Sequence, residues 1–414
     1  MSTLKYYVWL ASRKAATAAA LRVLRHFGTA EKVFFANEDE LLAVPELNRG
    51  DALAFAQKDL AKPTDILAKC AELGHRIVTI QDAEYPERLR NIYDPPIVLY
   101  VKGRLPAIDE EPVISVVGTR NFTPYGLKQA ELCGYELARH GIVVATGLAR
   151  GGDTAAMLGA LRGGGTVIGL LGCGLDVVYP AENAQLYEDV ASVGALISEY
   201  PPGTEPAGVH FPVRNRILSG IALGVAVIEA PHRSGTLITA SRALEQGRDV
   251  FAMPGNVDAP TSVGANRLLR EGAIPMTSAA DIVSEYAALF PLKIKTGSVG
   301  KVSLDEKAEK RLVATAEDTK KTTRRHDTTE KTVDNAAVKS YIDSEAIAQK
   351  LTGIEKTVFE ALCGLLKESE TPQALLDDII DASQLAASDA LSAMTMLEID
   401  GFVQSLGGGY YGIT

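Results

Sequence analysis

Residues 113–171 read VISVVGTRNFTPYGLKQAELCGYELARHGIVVATGLARGGDTAAMLGALRGGGTVIGLL. Three short β-branched runs, Val113–Val117, Ile142–Ala145 and Thr166–Leu170, alternate here with helical stretches of about ten to sixteen residues. The alternation continues outward through Ala195–Ser198, Val225–Glu229, Val250–Met253 and Ala273–Met276. Strands that are apolar along nearly their whole length are covered on both faces, so the pattern predicts a parallel sheet with helices on either side. Thr123-Pro124, Ser234, Ser262 and Ser278 stand where helix N-caps belong, and Gly247 and Gly272 where C-cap glycines belong. The expected fold class is α/β, with an extended Rossmann-like parallel-sheet domain over residues 112–290.

The flanks have other characters. Residues 1–65 read as short helices, Thr17–Phe27 and Glu38–Ala43 among them, the size of a SAM-like or helix-hairpin-helix module. A phosphate-binding hairpin ordinarily has two glycines, and this one has Gly50 alone. Residues 66–111 read as a connector, with a helix near Ile66–Leu73, a strand Arg76–Thr79, and an extended backbone imposed by Pro95–Pro96. Residues 291–345 contain KAEKRLVATAEDTKKTTRRHDTTEKTVD, too polar to offset the entropy of ordering, and are expected to be a flexible linker. Three helices then follow (Ile354–Leu366, Gln373–Ile380, Leu385–Ile399), with a hairpin FVQSLGGGYYGIT after them. That order predicts a winged-helix domain over residues 346–414.

Composition narrows the function. The 414 residues are 46% hydrophobic and 23% charged, ordinary for a soluble chain with a sizeable core. No apolar run reaches the roughly 18 residues of a membrane span, and the first residues carry no export signal. Cys70, Cys133, Cys173 and Cys363 form no CxxC pair, so no disulfide framework or zinc site is expected, and a cytoplasmic location fits. The net charge of −10 argues at first against a nucleic-acid partner, yet it is uneven: Lys293–Lys339 is rich in Lys and Arg, and the stretch after Leu351 is strongly acidic.

Ligands of doubly wound sheets bind beyond the carboxyl ends of the strands. The segments there are Gly118–Gly126, Thr146–Ala156, Leu171–Asn183, Ser198–Arg216, Glu229–Ala240 and Met253–Leu268, nearly all with Gly beside Arg, Ser, Thr or Asn. Glycine lets N–H groups approach an anion, a helix N-terminus adds its dipole, and Arg adds charge and a two-pronged donor. The expected phosphate-binding set is Gly118, Thr119, Arg120, Gly147, Arg150, Gly151, Arg214, Asn215, Arg216, Ser234, Gly235, Thr236, Gly255 and Asn256. Arg214 and Arg216 are placed in the first turn of a helix opened by Pro212, where each cation opposes the helix dipole by about 0.3–1 kcal/mol. That cost favours a ligand role over an ion pair with a carboxylate such as Glu199. Lys128, Arg139 and Arg162 read as solvated helix faces. Phe211, Tyr125 and Phe122 could stack on bases, Phe211 foremost because it adjoins the arginine pair.

Asp153, Asp176, Glu199 and Glu229 also follow strands, but no spacing suggests a two-metal nuclease, and Asp153 reads as a helix cap. The six histidines form no spaced pair and no Ser–His–Asp set. No catalytic residue, metal or cofactor is expected.

The segments VVGTR, TGLARGGDTAA, GLLGCGLDVVYPAEN, ISEYPPGTEP, HFPVRNRILSG, VIEAPHRSGTLITASRALEQGRDVFAMPGN and GANRLLREGA, in that order, resemble the DNA-processing protein A (DprA, or Smf) family across about residues 110–277. The resemblance implies a protein that binds incoming single-stranded DNA in natural transformation and loads the RecA recombinase. It also implies a homodimer through the Rossmann-like domain and no catalytic turnover, with Arg120, Arg150, Arg214 and Arg216 in the basic pocket. Two positions depart from the family pattern: Met157 stands where His is usual, and Gly152 where an apolar residue commonly precedes the Asp. The helix near Leu385–Ile399 has Asp389 and Glu398 but no Lys or Arg, so the winged helix is expected to meet proteins rather than DNA.

The alternative is a nucleotide phosphoribohydrolase of the lysine-decarboxylase-like group. Its PGGxGTxxE would fall on APHRSGTLITA, which lacks both the PGG and the Glu. A small-nucleotide sensor would use the same pocket. An NAD-dependent oxidoreductase is disfavoured because Val117-Gly118-Thr119-Arg120 is not GxGxxG.

Overall fold

The computed structural model describes residues 3–13, 15–297, 351, 353–368, 374–399, 402–407 and 410–413. Most of the linker expected over 291–345 therefore lies outside the described residues. The chain divides into two compact units, Met1–Thr323 and Arg324–Thr414.

The first unit opens with α1 (Leu4–Ala11), α2 (Thr17–Phe27), α3 (Ala30–Phe35), α4 (Glu38–Leu42), α5 (Arg49–Ala56) and α6 (Ala61–Glu72). Trp9, Val23, Val33, Leu41 and Phe55 are buried among them. Asn37 and Glu40 form a capping box that starts α4, and Thr29 and Asn48 cap α3 and α5.

The sheet follows: β1 (Arg76–Thr79), β2 (Val98–Gly103), β3 (Val113–Val117), β4 (Val143–Thr146), β5 (Val167–Leu171), β6 (Ala195–Ser198), β7 (Gly224–Val227), β8 (Asp249–Ala252) and β9 (Ile274–Pro275). The spatial order is β1-β2-β6-β5-β4-β3-β7-β8-β9. From β6 across to β9 every pair is parallel. Every residue of β3 to β7 is buried, as their unbroken apolar character predicts. Residues 66–111 do more than connect. β2 pairs antiparallel with β6, and β1 with β2, so this segment covers what would otherwise be an open parallel edge.

Covering the faces are α7 (Glu87–Arg90), α8 (Pro124–Arg139), α9 (Gly152–Arg162), α10 (Ala184–Val193), α11 (His210–Gly220), α12 (Gly235–Glu245), α13 (Val263–Arg270) and α14 (Ala279–Tyr286). Thr123 caps α8 by accepting the Gly126 N–H at 3.0 Å. Ser234 and Ser262 stand at N-cap positions without accepting such a bond from their helices.

The second unit holds α15 (Gly353–Glu368), β10 (Ala374–Leu375), α16 (Leu376–Ser383), α17 (Ala387–Ile399), β11 (Val403–Gly407) and β12 (Tyr410–Ile413). Its sheet order is β10-β12-β11, and Val358, Phe359, Leu362, Ile379, Met394 and Leu397 form its own core. Three helices with a hairpin wing are the winged-helix arrangement the sequence predicts. Among the described residues no helix is long and apolar enough to cross a membrane.

Candidate nucleic-acid interface

The chain winds from β3 through β6 in one direction and from β7 through β9 in the other, so the topological switch lies between β3 and β7. There the Thr119 N–H donates to the Glu229 carbonyl at 2.9 Å. The buried Glu229 carboxylate accepts from Thr123 N at 3.0 Å and Thr123 Oγ1 at 2.6 Å, and from Thr261 Oγ1 at 3.4 Å. One side chain thus laces together the loops after β3, β7 and β8. Among the described residues no group of His, Cys, Asp and Glu could hold a metal ion.

A second buried carboxylate lies beside the crevice. Asp153, second residue of α9, accepts the Gly147 N–H at 3.0 Å, and the nearby N–H groups of Gly118 and Ala149 also favour its ionised form. One of the glycine donors expected to meet phosphate, Gly147, is therefore turned inward. Asp153 caps loops rather than its own helix. The Arg214 guanidinium is buried near it, donating to the Gly147 carbonyl at 2.9 Å, to the Leu170 carbonyl, and to Asn215 Oδ1 at 3.1 Å. Burial lowers the Arg214 pKa, and the nearby Asp153 opposes that.

Arg214 and Arg216 differ from their expected placement. α11 begins at His210, so both lie past its first turn, where the dipole has faded, and both are buried. Arg216 holds Glu199 with both terminal nitrogens, at 2.9 and 2.7 Å, and reaches Asp94 Oδ2 from Nε at 3.1 Å. Burial lowers its pKa, but the two carboxylates outweigh burial and raise it overall. The ion pair with Glu199 is what the structure contains. Glu199 was visible in the sequence; Asp94, 122 residues away, carried no signal.

The exposed chemistry is at the rim. Arg120 is exposed, with its guanidinium 5.4 Å from the centre of the Phe211 ring. Phe211 lies over Gly172 and sits 5.5 Å from the half-exposed ring of Tyr179. His210 Nδ1 donates to the Gly172 carbonyl at 3.0 Å, and its ring stacks on Tyr200 at 4.1 Å. Arg150 is exposed and takes Glu182 with Nε and, at 3.1 Å, with Nη2. The loops after β3, β4, β5 and β6 thus bring Arg120, Arg150, Phe211, Tyr179 and Tyr200 to one edge. Tyr179 and Tyr200 lie outside the expected set, although each stands in a Tyr-Pro pair within these loops.

Elsewhere the expected set is more dispersed. Gly151 needs its φ of +85° to turn the chain into α9. Phe122 is no stacking platform: its ring fills the space where a Cβ on Gly118 or Gly152 would stand, at 2.1 Å from each. Gly152 is the compensated departure, because Phe122 occupies the volume that a side chain would take. Met157 is wholly buried in the core. Asn215 donates to the Gly235 carbonyl at 3.4 Å, and the buried Ser234 hydroxyl has no partner at the start of α12. Thr236 is buried and Gly235 exposed. The Gly255 backbone is engaged by Asn266 at 3.1 and 2.9 Å, and Asn256 is exposed. At about 4.8 Å per strand, the loops after β5 and β8 stand roughly 19 Å apart, a span suited to a chain of nucleotides.

The sequence matches the family model of DNA recombination-mediator protein A over residues 76–287, and that of the DprA winged helix domain over residues 343–409. DNA processing protein DprA of Streptococcus pneumoniae is 44% identical over 208 residues, 50% of this chain and 73% of that protein. Protein Smf of Synechocystis sp. is 32% identical over 350 residues, 84% of this chain and 82% of that protein. The X-ray structure of DNA processing protein A from Streptococcus pneumoniae aligns with a TM-score of 0.61 and 35% identity, covering 69% of this chain and 99% of that one.

Proposed function

The chain belongs to the DNA recombination-mediator protein A (DprA/Smf) family, and from that premise we propose that it binds single-stranded DNA along the rim formed by Arg120, Arg150, Phe211 and Tyr179. The observation that carries the reading is the exposed Arg120 guanidinium over the Phe211 ring, with Tyr179 next to it. Cations that track a backbone beside aromatic faces that accept any base are what sequence-tolerant single-strand binding requires. Arg214 and Arg216 act from beneath, by holding the loops in place. The exposed Gly235 extends the surface across the switch point, with the buried Asn215 and Thr236 and the Ser234 hydroxyl supporting it, and Gly255 and Asn256 stand at its far end.

In this reading the chain is a carrier without turnover. It delivers the strand to a RecA-type recombinase and works as a homodimer through the sheet domain. The winged helix faces proteins, since α17 has no basic residue and exposes Asp389. Titrating a fluorescent oligothymidylate across a salt series tests the core of the proposal. Arg120→Ala should weaken binding whatever the sequence and reduce the salt slope by about 0.7. Unchanged affinity for Arg120→Ala and Arg150→Ala alike would refute the rim.

A further inference from the structure

Asp153 is 6% exposed and accepts the Gly147 N–H after β4 at 3.0 Å, while the nearby N–H groups of Gly118 after β3 and Ala149 after β4 also favour its ionised form. N–H groups converging at a helix N-terminus beyond a parallel sheet normally meet a ligand anion. Here the chain supplies the anion itself. The loops bearing Arg120 and Arg150 are shaped around that carboxylate before any DNA arrives. Arg214 completes the arrangement by binding the carbonyl of the same Gly147.

We propose that Asp153 is a positioning residue: its ionised carboxylate holds the loops after β3 and β4 in their DNA-competent form, and protonating it releases them. The inference rests on the DNA-binding reading above. A protonated carboxyl is a weaker acceptor for the Gly147 N–H, loses its attraction for the N–H groups of Gly118 and Ala149, and leaves Arg214 buried without a counter-charge.

Burial pushes the Asp153 carboxyl up to about 6, against the pull of Arg214 and the three N–H groups. The charged surroundings are defined. Arg214 faces Asp153 from α11, and Arg214 itself faces Tyr187 on α10, Cys173 after β5 and Arg120 after β3. Burial raises both the Tyr187 hydroxyl and the Cys173 thiol, the latter to about 11. On α8, Glu131 is taken by Arg162 of α9, and after β7 Glu229 is taken by Thr123.

Two signs separate this device from ordinary acid effects. Acidification makes a chain more positive overall, which alone would tighten DNA binding. A carboxyl raised in the folded state binds more protons there than in the unfolded chain, so this group adds stability as pH falls through about 6. Affinity should therefore drop on acidification while the fold holds.

The test uses the full chain with fluorescent oligothymidylate at constant ionic strength from pH 7.5 to pH 5, with near-ultraviolet circular dichroism recorded alongside. About a tenth of Asp153 is ionised at pH 5, so binding should be about tenfold weaker than at pH 7.5, with the dichroism unchanged. Asp153→Asn should be about tenfold weaker already at pH 7.5 and lose nothing further in acid. If that variant does not fold, the wild-type profile decides alone. Wild-type affinity that is level or rises toward pH 5 overturns the inference, as does a folded Asp153→Asn that binds like wild type at pH 7.5. Absence of binding at every pH would instead overturn the DNA-binding reading itself.

Discussion

Arg150 and Glu182 grip each other at the rim, Nε to Oε1 and Nη2 to Oε2, with side chains 61% and 44% exposed. The hydrogen bond to Glu182 raises the Arg150 pKa, and the same bond lowers that of Glu182. A carboxylate presents two oxygens much as a phosphate does, so Glu182 occupies the fork that a DNA phosphate would take.

Freeing that fork should tighten binding. An exposed pair is worth about 0.2–1 kcal/mol, so Glu182→Gln should bind oligothymidylate up to about fivefold more tightly than wild type. Fluorescence anisotropy at fixed salt measures this. Weaker binding by Glu182→Gln would mean that Glu182 positions Arg150 for DNA instead of competing for it.

Arg120 and Phe211 touch each other, yet their losses should look different. Phe211→Ala removes a stacking face, costing about 1–3 kcal/mol of binding without altering the salt slope. Arg120→Ala removes a cation, so its effect should shrink as salt rises. Equal salt slopes for the two variants would count against the division of labour.

How much of this was legible beforehand follows from what pattern can encode. β3 and β6 match their expected bounds because a strand buried on both faces must be apolar throughout. β2 carries no local signal because VLYVKG follows a turn-rich segment, and its antiparallel pairing to β6 joins residues as near as Gly103 and Ala195, 92 apart in sequence and beyond any local window. The loops were recognisable from Gly beside Arg, but which arginines face outward was not. Helix polarity placed Arg214 and Arg216 at a surface; the carbonyls of Gly147 and Leu170 and the carboxylates of Glu199 and Asp94, which draw them inside, come from distant segments.

Arg216 should matter to folding rather than to DNA contact. Arg216→Ala strands Glu199 and Asp94 in a partly buried site, at a cost of about 3 kcal/mol. Thermal unfolding should show a clear loss for Arg216→Ala, while Arg120→Ala, at an exposed position, should unfold like wild type. The reverse order would return Arg216 to the surface.

Gly152 and Phe122 share one volume, since a Cβ on Gly152 would meet the Phe122 ring at 2.1 Å. Gly152→Ile alone should destabilise the chain by about 1–3 kcal/mol through overpacking. Adding Phe122→Ala should recover part of that loss, a coupling read from the thermal midpoints of the two single variants and the double. Strictly additive losses would show that the ring and the glycine do not compete for the space.

The winged helix supplies the last expectation. After Leu351 the chain carries ten acidic side chains against two basic ones, and Glu360, Asp378, Asp381 and Asp389 are exposed. Phosphate contact dominates affinity for nucleic acid, so such a unit repels DNA more than it attracts it. Ending the chain after residue 345 leaves the sheet unit whole, because that unit has its own core. The shortened chain should bind oligothymidylate within about twofold of the full one, with the same salt slope. A tenfold loss, or a smaller slope, would place part of the DNA interface on the winged helix despite its charge.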